Sequence, residues 1–539
     1  MGLLESRVDR KSASFARNVE DHLAMIDQLR SLEAKVQAAS NRSRAKFEAR
    51  GQLVPRDRIA LLLDRGSPFL ELSTLAGYRM HDDDGDANIA GGGNITGIGF
   101  VAGVRVVVSA SDAGIRGGAA TPLGMEKALR AQDIAIENKL PYVQLIESAG
   151  ANLFRQADMF VRGGRSFANL ARMSALGLPV VAVVHGSSTA GGAYQTGLSD
   201  YVVLVRNRSR IFLAGPPLLR AATGEIADEE DLGGAEMHYA VAGTGEYLAE
   251  NDADGLRIAR DVISRLGWND DAPARVAVVP KPPIHSADDL LGIVPVDYRQ
   301  PYDAREVVAR LVDGSDFLEF KAGFGPHTVT GHAAIGGHQI GILANNGPID
   351  ANGAAKAAQF IQICCQSDRP LLFLQNTTGF MVGLDAERGG IVKHGSKMIQ
   401  AVTNATVPRL TVNIGASFGA GNYGMCGRGF DPRFLFAWPN HRISVMGGEQ
   451  AAGTMAIVAE DAARKRGVEP DRAALDVMRS KVVEAYRAEG EALYATARLW
   501  DDGLIDPRDT RQLLIFCLDT CREAEARRPR ASSFGVARM

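Results

Sequence analysis

The chain has 539 residues, 46% of them hydrophobic, which is enough to bury more than one core and favours two or three domains. A net charge of −3 offers no electrostatic attraction for nucleic acid or an anionic membrane, so neither is an expected partner. No apolar run approaches the roughly 18 residues of a membrane span, and Met1–Asn18 lacks the apolar core of a secretory signal.

From Asn18 to Arg50 apolar residues recur at three- and four-residue spacing (Leu23, Ile26, Leu29, Leu32, Val36), which predicts one long amphipathic helix packed as an arm. A short helix from Arg58, ended by Gly66, leads into a strand at Phe69–Leu72, and Leu311–Phe320 echoes this stretch. Residues 95–101 and 104–109 form a hairpin joined at Ala102-Gly103, repeated by His332–Gly336 and Gln339–Ala344 around Gly336-Gly337. Gly97 and Gly99 lie inside a strand with no helix following, which argues against a dinucleotide fingerprint. Thr121-Pro122 caps a helix with Met125, Leu129 and Ile136 on its apolar face. Leu140–Ile146 is then a buried strand ending in Glu147-Ser148-Ala149-Gly150-Ala151.

A second buried strand, Pro179–Val184, runs into a turn of small residues, Thr189-Ala190-Gly191-Gly192, that opens a helix. This pattern recurs at a constant separation of 229 residues: Pro179, Gly186 and Tyr194 match Pro408, Gly415 and Tyr423, and Pro141 matches Pro370. Each half reads hairpin, helix, strand, turn, helix, strand, turn, helix. The fold class is therefore α/β with two tandem copies of one domain, and the proline-rich stretch Lys281-Pro282-Pro283 sets the expected division into 1–285 and 286–539.

Alternating strands and helices place the strand-end turns on one edge of each core, where backbone N–H groups beside glycines can meet a ligand oxygen. The turns after Ile146 and Val184 can supply one donor each to a common oxygen, and so can those after Gln375 and Ile414. Side-chain constellations are poor by comparison. His185, Ser187 and Ser188 do not form a nucleophile elbow, and the ten histidines show no metal-ligand spacing. Asp228–Asp231 reads as a solvated loop. The five cysteines (Cys364, Cys365, Cys426, Cys517, Cys521) contain no Cys-x-x-Cys and suit reduced thiols in a cytoplasmic protein without a bound metal. Many oxyanion donors with few acids or bases suit enolate chemistry in which a cofactor or the substrate moves the proton.

The motifs Phe47–Ile59, Ala171–Ala175, Thr189–Tyr194, Gly215–Leu218, Ala221–Glu225, Asp231–Ala235 and Gly419–Met425 resemble the carboxyltransferase β subunit of biotin-dependent acyl-CoA carboxylases over nearly the whole chain. The branch of methylcrotonyl-CoA and geranyl-CoA carboxylases is the most similar in detail, including the ending Ser533–Met539. The resemblance implies two crotonase-like domains of the ClpP/crotonase superfamily and a hexamer within an α6β6 complex. It also implies active sites between the N-terminal domain of one subunit and the C-terminal domain of another. Biotin would arrive as carboxybiotin on a separate biotin carboxylase/carrier α subunit, in keeping with the lack of a Met-Lys-Met site here. Carried over by position, the amides of Gly191 and Gly192 would hold the acyl-CoA thioester enolate and those of Gly419 and Ala420 the biotin enolate, so no protein base is required. The turn argument adds Ala151 and Phe380 as the second donors. Gly150, Ala190 and Tyr194 would border acyl-CoA, and Gly379, Gly421 and Tyr423 would border biotin.

One stretch departs from the methylcrotonyl-CoA enzymes, which carry a longer loop with an aromatic residue where Gly163-Gly164 stands. The loop expected here, Asn152–Arg165, is shorter and has no bulk at that place. A pocket without an aromatic wall would admit a longer acyl chain, as in geranyl-CoA carboxylase. A biotin-dependent acyl-CoA decarboxylase or transcarboxylase subunit, or a carboxylase of another longer-chain acyl-CoA, remains the alternative.

Overall fold

The computed structural model describes residues 2–81, 90–270, 280–533 and 535–536. Phe534, Ala537, Arg538 and Met539 of the C-terminal motif lie outside the described residues. Two compact units make up the chain. One comprises Ser31–Pro273, Ala497–Leu499 and Thr520–Met539, and the other Met1–Arg30, Ala274–Thr496 and Trp500–Asp519. The two units are thus interleaved in sequence.

The first unit is built on the strands β1 (Leu70–Leu72), β2 (Asn94–Val101), β3 (Val104–Ser111), β4 (Tyr142–Ser148), β5 (Val180–Thr189), β6 (Tyr201–Val205), β7 (Arg210–Phe212) and β8 (Tyr247–Ala249). They lie in the order β1-β2-β3-β4-β5-β6-β8, with β7 on the far end of β5. The second unit repeats the order with β9 (Phe317–Glu319), β10 (Thr328–Ile335), β11 (His338–Asn345), β12 (Leu371–Thr377), β13 (Arg409–Phe418), β14 (Phe434–Ala437) and β15 (Arg442–Ser444). The tandem duplication of an α/β domain is thereby established, β8 alone having no counterpart among the described residues of the second unit.

In each unit one antiparallel hairpin feeds a parallel run, β3-β4-β5-β6 and β11-β12-β13-β14. Parallel strands are covered on both faces, which is why β4 and β5 read as nearly unbroken apolar runs whose Val143, Leu145, Val181 and Val183 are fully buried. The hairpin turns at Ala102-Gly103 and Gly336-Gly337 have both central residues at positive φ, as a two-residue turn requires. A carboxylate fixes each turn: Asp64 accepts from Ala102 N (2.9 Å) and Gly103 N (2.7 Å), and Asp313 accepts from Gly336 N (2.9 Å) and Gly337 N (2.7 Å). Gly97 sits inside β2 because a β-carbon there would lie 2.5 Å from the Phe69 ring.

Three local expectations change. The N-terminal helix runs Ala13–Asn41 and breaks before a separate helix, Arg44–Ala49; Ile26, Leu29, Leu32 and Val36 are buried as their spacing predicts, whereas Leu23 is exposed. Thr121 caps its helix by accepting from Gly124 N (3.0 Å), yet the buried face carries Leu123, Lys127, Ala131 and Ile134 rather than Met125, Leu129 and Ile136. The acidic stretch is ordered as well. Asp228 caps the helix Glu229–Gly233, and Glu229 and Glu230 pair with Arg210.

Candidate active site

The first strand-end turn begins at a bulge, where the pairing of β4 with β5 slips between Ile146 and Ser148. Beyond it Ala120 donates to Gly150 O (2.9 Å) and accepts from Asn152 N (3.2 Å). In a parallel bridge the intervening residue directs its own N–H to the opposite edge, so the Ala151 amide faces the β5 side, and it has no partner among the described residues. The neighbouring Gly150 amide is already used, because it donates to Ser148 Oγ (3.1 Å). The β5 turn abuts this one: a β-carbon at Gly150 would lie 3.4 Å from Thr189 Oγ1.

Ala190 turns that corner at φ 53°, ψ −120°, with its N–H held by Phe212 O (3.0 Å). Gly191 and Gly192 follow as the first two residues of the helix Gly191–Gly197, where N–H groups have no intrahelical acceptor. Phe167 packs against Gly191, 3.4 Å from where a β-carbon would stand, and its ring lies 6.0 Å from that of half-exposed Tyr194.

The second unit reproduces this arrangement. The register of β12 and β13 slips between Gln375 and Thr377, Gly379 N donates to Thr377 Oγ1 (3.2 Å), and Ile349 bonds Gly379 O and Met381 N at 2.9 Å each. The Phe380 amide is therefore directed toward the β13 side and has no partner among the described residues. Gly419, at φ 54°, takes the corner that Ala190 takes in the first unit, and Gly419 and Ala420 begin the helix Gly419–Gly424. Gly421 seats the two turns on each other, since a β-carbon there would meet Gly379 Cα at 2.9 Å. Tyr423 is half-exposed and stacks on Phe430 at 5.6 Å.

Gly163 and Gly164 do not lie in a loop. Asn152 caps a single 3-10 turn, Leu153–Arg155, and the helix Gln156–Ala175 then carries both glycines in its interior. A β-carbon at Gly163 would stand 3.8 Å from Met125 Cε, and one at Gly164 would meet nothing within 4 Å. They share a helix face with Phe167, three and four residues on, so the aromatic ring absent at Gly163-Gly164 stands one turn further along and reaches Gly191.

Behind the first turn lies a charge network that sequence reasoning missed. Arg58, 1% exposed, contacts Glu147 (2.6 Å) and Asp252 (3.2 Å), and His185 Nδ1 meets Asp252 Oδ1 at 2.8 Å. Burial, reinforced by the Arg58 charge, pushes His185 down to about 4, so its imidazole is neutral and donates to Asp252. Burial opposes ionisation of Asp252, but the His185, Arg58 and Leu53 N contacts outweigh it and keep the carboxylate charged. The available signal was Gln52–Arg58, part of the quoted motif, whose contacts only the fold discloses. In front of Glu147 a cavity of about 650 Å³ is lined by Lys46, Arg50, Arg116, Ser148, Ser187 and Thr189 among others. Its three cations stand beside two carboxylates, Glu147 and Glu229, which pair with Arg58 and Arg210, so the lining suits an anionic ligand portion beside the turn.

A family model described as carboxyl transferase domain matches residues 46–534. The chain belongs to this carboxyltransferase family. It is 47% identical over 539 residues, covering 100% of both chains, to a probable biotin-dependent acyl-coenzyme A carboxylase beta2 subunit of Mycobacterium tuberculosis. It is 46% identical over 556 residues, covering 100% of this chain and 95% of the relative, to a probable mitochondrial methylcrotonoyl-CoA carboxylase beta chain of Drosophila melanogaster. The crystal structure of the geranyl-CoA carboxylase beta subunit of P. aeruginosa matches with a TM-score of 0.94 at 57% identity, covering 100% of each chain. The carboxyltransferase is thus a β subunit of a biotin-dependent acyl-CoA carboxylase, in a family that works with a separate α subunit, and its two domains have the crotonase-like fold. Among the described residues no helix is long and apolar enough to cross a membrane.

Proposed function

We propose that the carboxyltransferase carboxylates a branched, unsaturated acyl-CoA of the geranyl-CoA or 3-methylcrotonyl-CoA type. The amides of Ala151, Gly191 and Gly192 hold the thioester oxygen, and those of Phe380, Gly419 and Ala420 hold the ureido oxygen of the cofactor. The supporting observation is the matched pair of turns, each offering a strand-end amide without a partner beside a helix N-terminus. These donors are in place before negative charge develops, which is where a preorganised amide contributes most. Carboxybiotin, brought by the α subunit, supplies the carboxyl group and the base when bound. The cradle suits it because exposed Ala420 stands at the turn, buried Gly379 and Gly421 seat the two turns on each other, and half-exposed Tyr423 borders them. On the acyl side Gly150 and Ala190 form the turn wall, Tyr194 borders the mouth, and the cavity cations receive the CoA phosphates.

The acyl tail runs along the helix face of Gly163 and Gly164, where Gly164 has open space. We place the site between subunits of a homohexamer within an α6β6 complex in the cytoplasm, with the domains divided near 285/286. The complex with its α subunit, assayed for bicarbonate fixation on a panel of acyl-CoAs, should prefer a ten-carbon branched chain. Gly164→Phe should lower kcat/KM for that chain by roughly 5- to 150-fold, the equivalent of about 1–3 kcal/mol of overlap. A five-carbon branched chain should be little affected. An unchanged ratio would place chain-length reading elsewhere. The transcarboxylase alternative rests on 31% identity over 512 residues, covering 94% of this chain and 95% of the relative, to the methylmalonyl-CoA carboxyltransferase 12S subunit of Propionibacterium freudenreichii subsp. shermanii. Carboxylation driven by ATP and bicarbonate would exclude it.

A further inference from the structure

The bulge that carries the first turn is gripped from behind by groups the reaction chemistry does not use. Glu147 is the residue at which β4 leaves register with β5, and its side chain occupies the space that Gly186 leaves open, where a β-carbon would stand 2.7 Å from Glu147 Cγ. Arg58 donates from Nη1 to Glu147 Oε2 (2.6 Å) and from Nε to Asp252 Oδ2 (3.2 Å). Gln52 Nε2 donates to His185 O (2.8 Å), and Leu53 N donates to Asp252 Oδ2 (2.7 Å). One short segment, Gln52–Arg58, therefore holds β4 and β5 just ahead of both turns.

The second unit meets the same need without charge. At its bulge Asn376 Oδ1 accepts from Ala416 N (3.1 Å), and Gly415 leaves the space, a β-carbon there meeting Asn376 Oδ1 at 2.4 Å. An ion pair in this place has a second consequence. Glu147 borders the cavity beside the turn, and an uncompensated carboxylate there would oppose negative charge at the bound oxygen.

We propose that Arg58 and Glu147 are positioning residues for the first turn. Their ion pair fixes the bulge, and through Ser148 and Gly150 it sets the direction of the Ala151 amide, while Arg58 neutralises the carboxylate. This rests on the reading that the first turn binds the acyl thioester. A donor displaced by about 1 Å loses on the order of 10²-fold in rate.

The test uses the complex with its α subunit, carboxylated on biotin with labelled bicarbonate. Transfer to acyl-CoA is compared with release of CO2 in the absence of acyl-CoA, which reads the second turn alone. Glu147→Asn imports the neutral solution of the second unit. Arg58→Lys keeps a cation in reach and guards against a variant that fails to fold. Both should lower kcat for transfer by about 10- to 100-fold, with KM for acyl-CoA within about 3-fold and CO2 release near wild type. The double variant should be little worse than either single, because one interaction is removed in all three. Transfer and release falling in the same proportion would show a merely structural pair and overturn the proposal, as would unchanged transfer. Gly191→Pro separates the two claims. If it abolishes transfer while the ion-pair variants do not, the positioning role alone fails. If it spares transfer, the acyl reading of the turn fails and the proposal with it.

Discussion

Gly421 and Gly192 occupy equivalent places, 229 residues apart, and the structure predicts opposite responses to the same substitution. A methyl at Gly421 would stand 2.8 Å from Thr377 Cγ2, 2.9 Å from Gly379 Cα and 3.2 Å from Gly379 N. Carbon atoms settle at about 3.5–4.0 Å, so Gly421→Ala demands a movement of roughly 0.6–1.2 Å. Such overpacking costs about 1–3 kcal/mol. Two of the three atoms met belong to Gly379, so the turn that aims the Phe380 amide is the part displaced. A methyl at Gly192 would meet only Ser188 Oγ, at 3.5 Å, and replacing a helical glycine by alanine stabilises by about 0.4–1 kcal/mol where the conformation is compatible. Gly421→Ala should therefore lower the thermal midpoint and slow CO2 release from the carboxylated α subunit by about 10- to 100-fold. Gly192→Ala should hold or raise the midpoint. The reasoning fails if Gly421→Ala keeps both the wild-type midpoint and the wild-type release rate.

Ala190 takes the left-handed corner that the second unit gives to Gly419, at φ 53° against 54°. Ala190→Gly should relieve about 1–3 kcal/mol of strain against about 0.4–1 kcal/mol of added chain entropy, so the midpoint should rise where Ala-to-Gly changes normally lower it. A lower midpoint in a thermal scan would refute the strain. Gly191→Pro and Ala420→Pro each remove one amide that the proposed mechanism uses. Turnover should fall by about 10²–10³ with substrate binding less affected, as kcat and KM in the complete complex would show. Burial pushes the Asp501 carboxyl up to about 7 from 3.8, so the folded state retains a proton that the unfolded chain gives up. That favourable contribution is full below about pH 4 and lost as pH rises to 7. Asp501→Asn, still able to accept from Thr496 Oγ1, should change stability little at pH 4 and raise it at pH 8 in denaturant titrations.

The sequence by itself determined the duplication and the positions of the turns. A strand buried on both faces must read as an apolar run, and a backbone that approaches a ligand must be small-residue chain, so Val180–Val184 into Gly191-Gly192 and Leu410–Ile414 into Gly419-Ala420 carry their signal locally. The hairpins were legible for the same reason, since two-residue turns demand positive φ at neighbouring sites. Tertiary structure decided what local signals cannot carry. Gly163 and Gly164 have weak helix propensity of their own and sit in a helix because its other residues, Met159, Ser166, Leu170 and Met173 among them, bury a face. The grip of Gln52 and Arg58 on Glu147, Asp252 and His185 joins residues up to about 200 positions apart, and no periodicity encodes such a meeting. The direction of the Ala151 and Phe380 amides belongs to the same class. A peptide N–H points wherever its strand's bridge partner forces it, and the bridges Ala120–Ala151 and Ile349–Phe380 exist only once the sheets have formed.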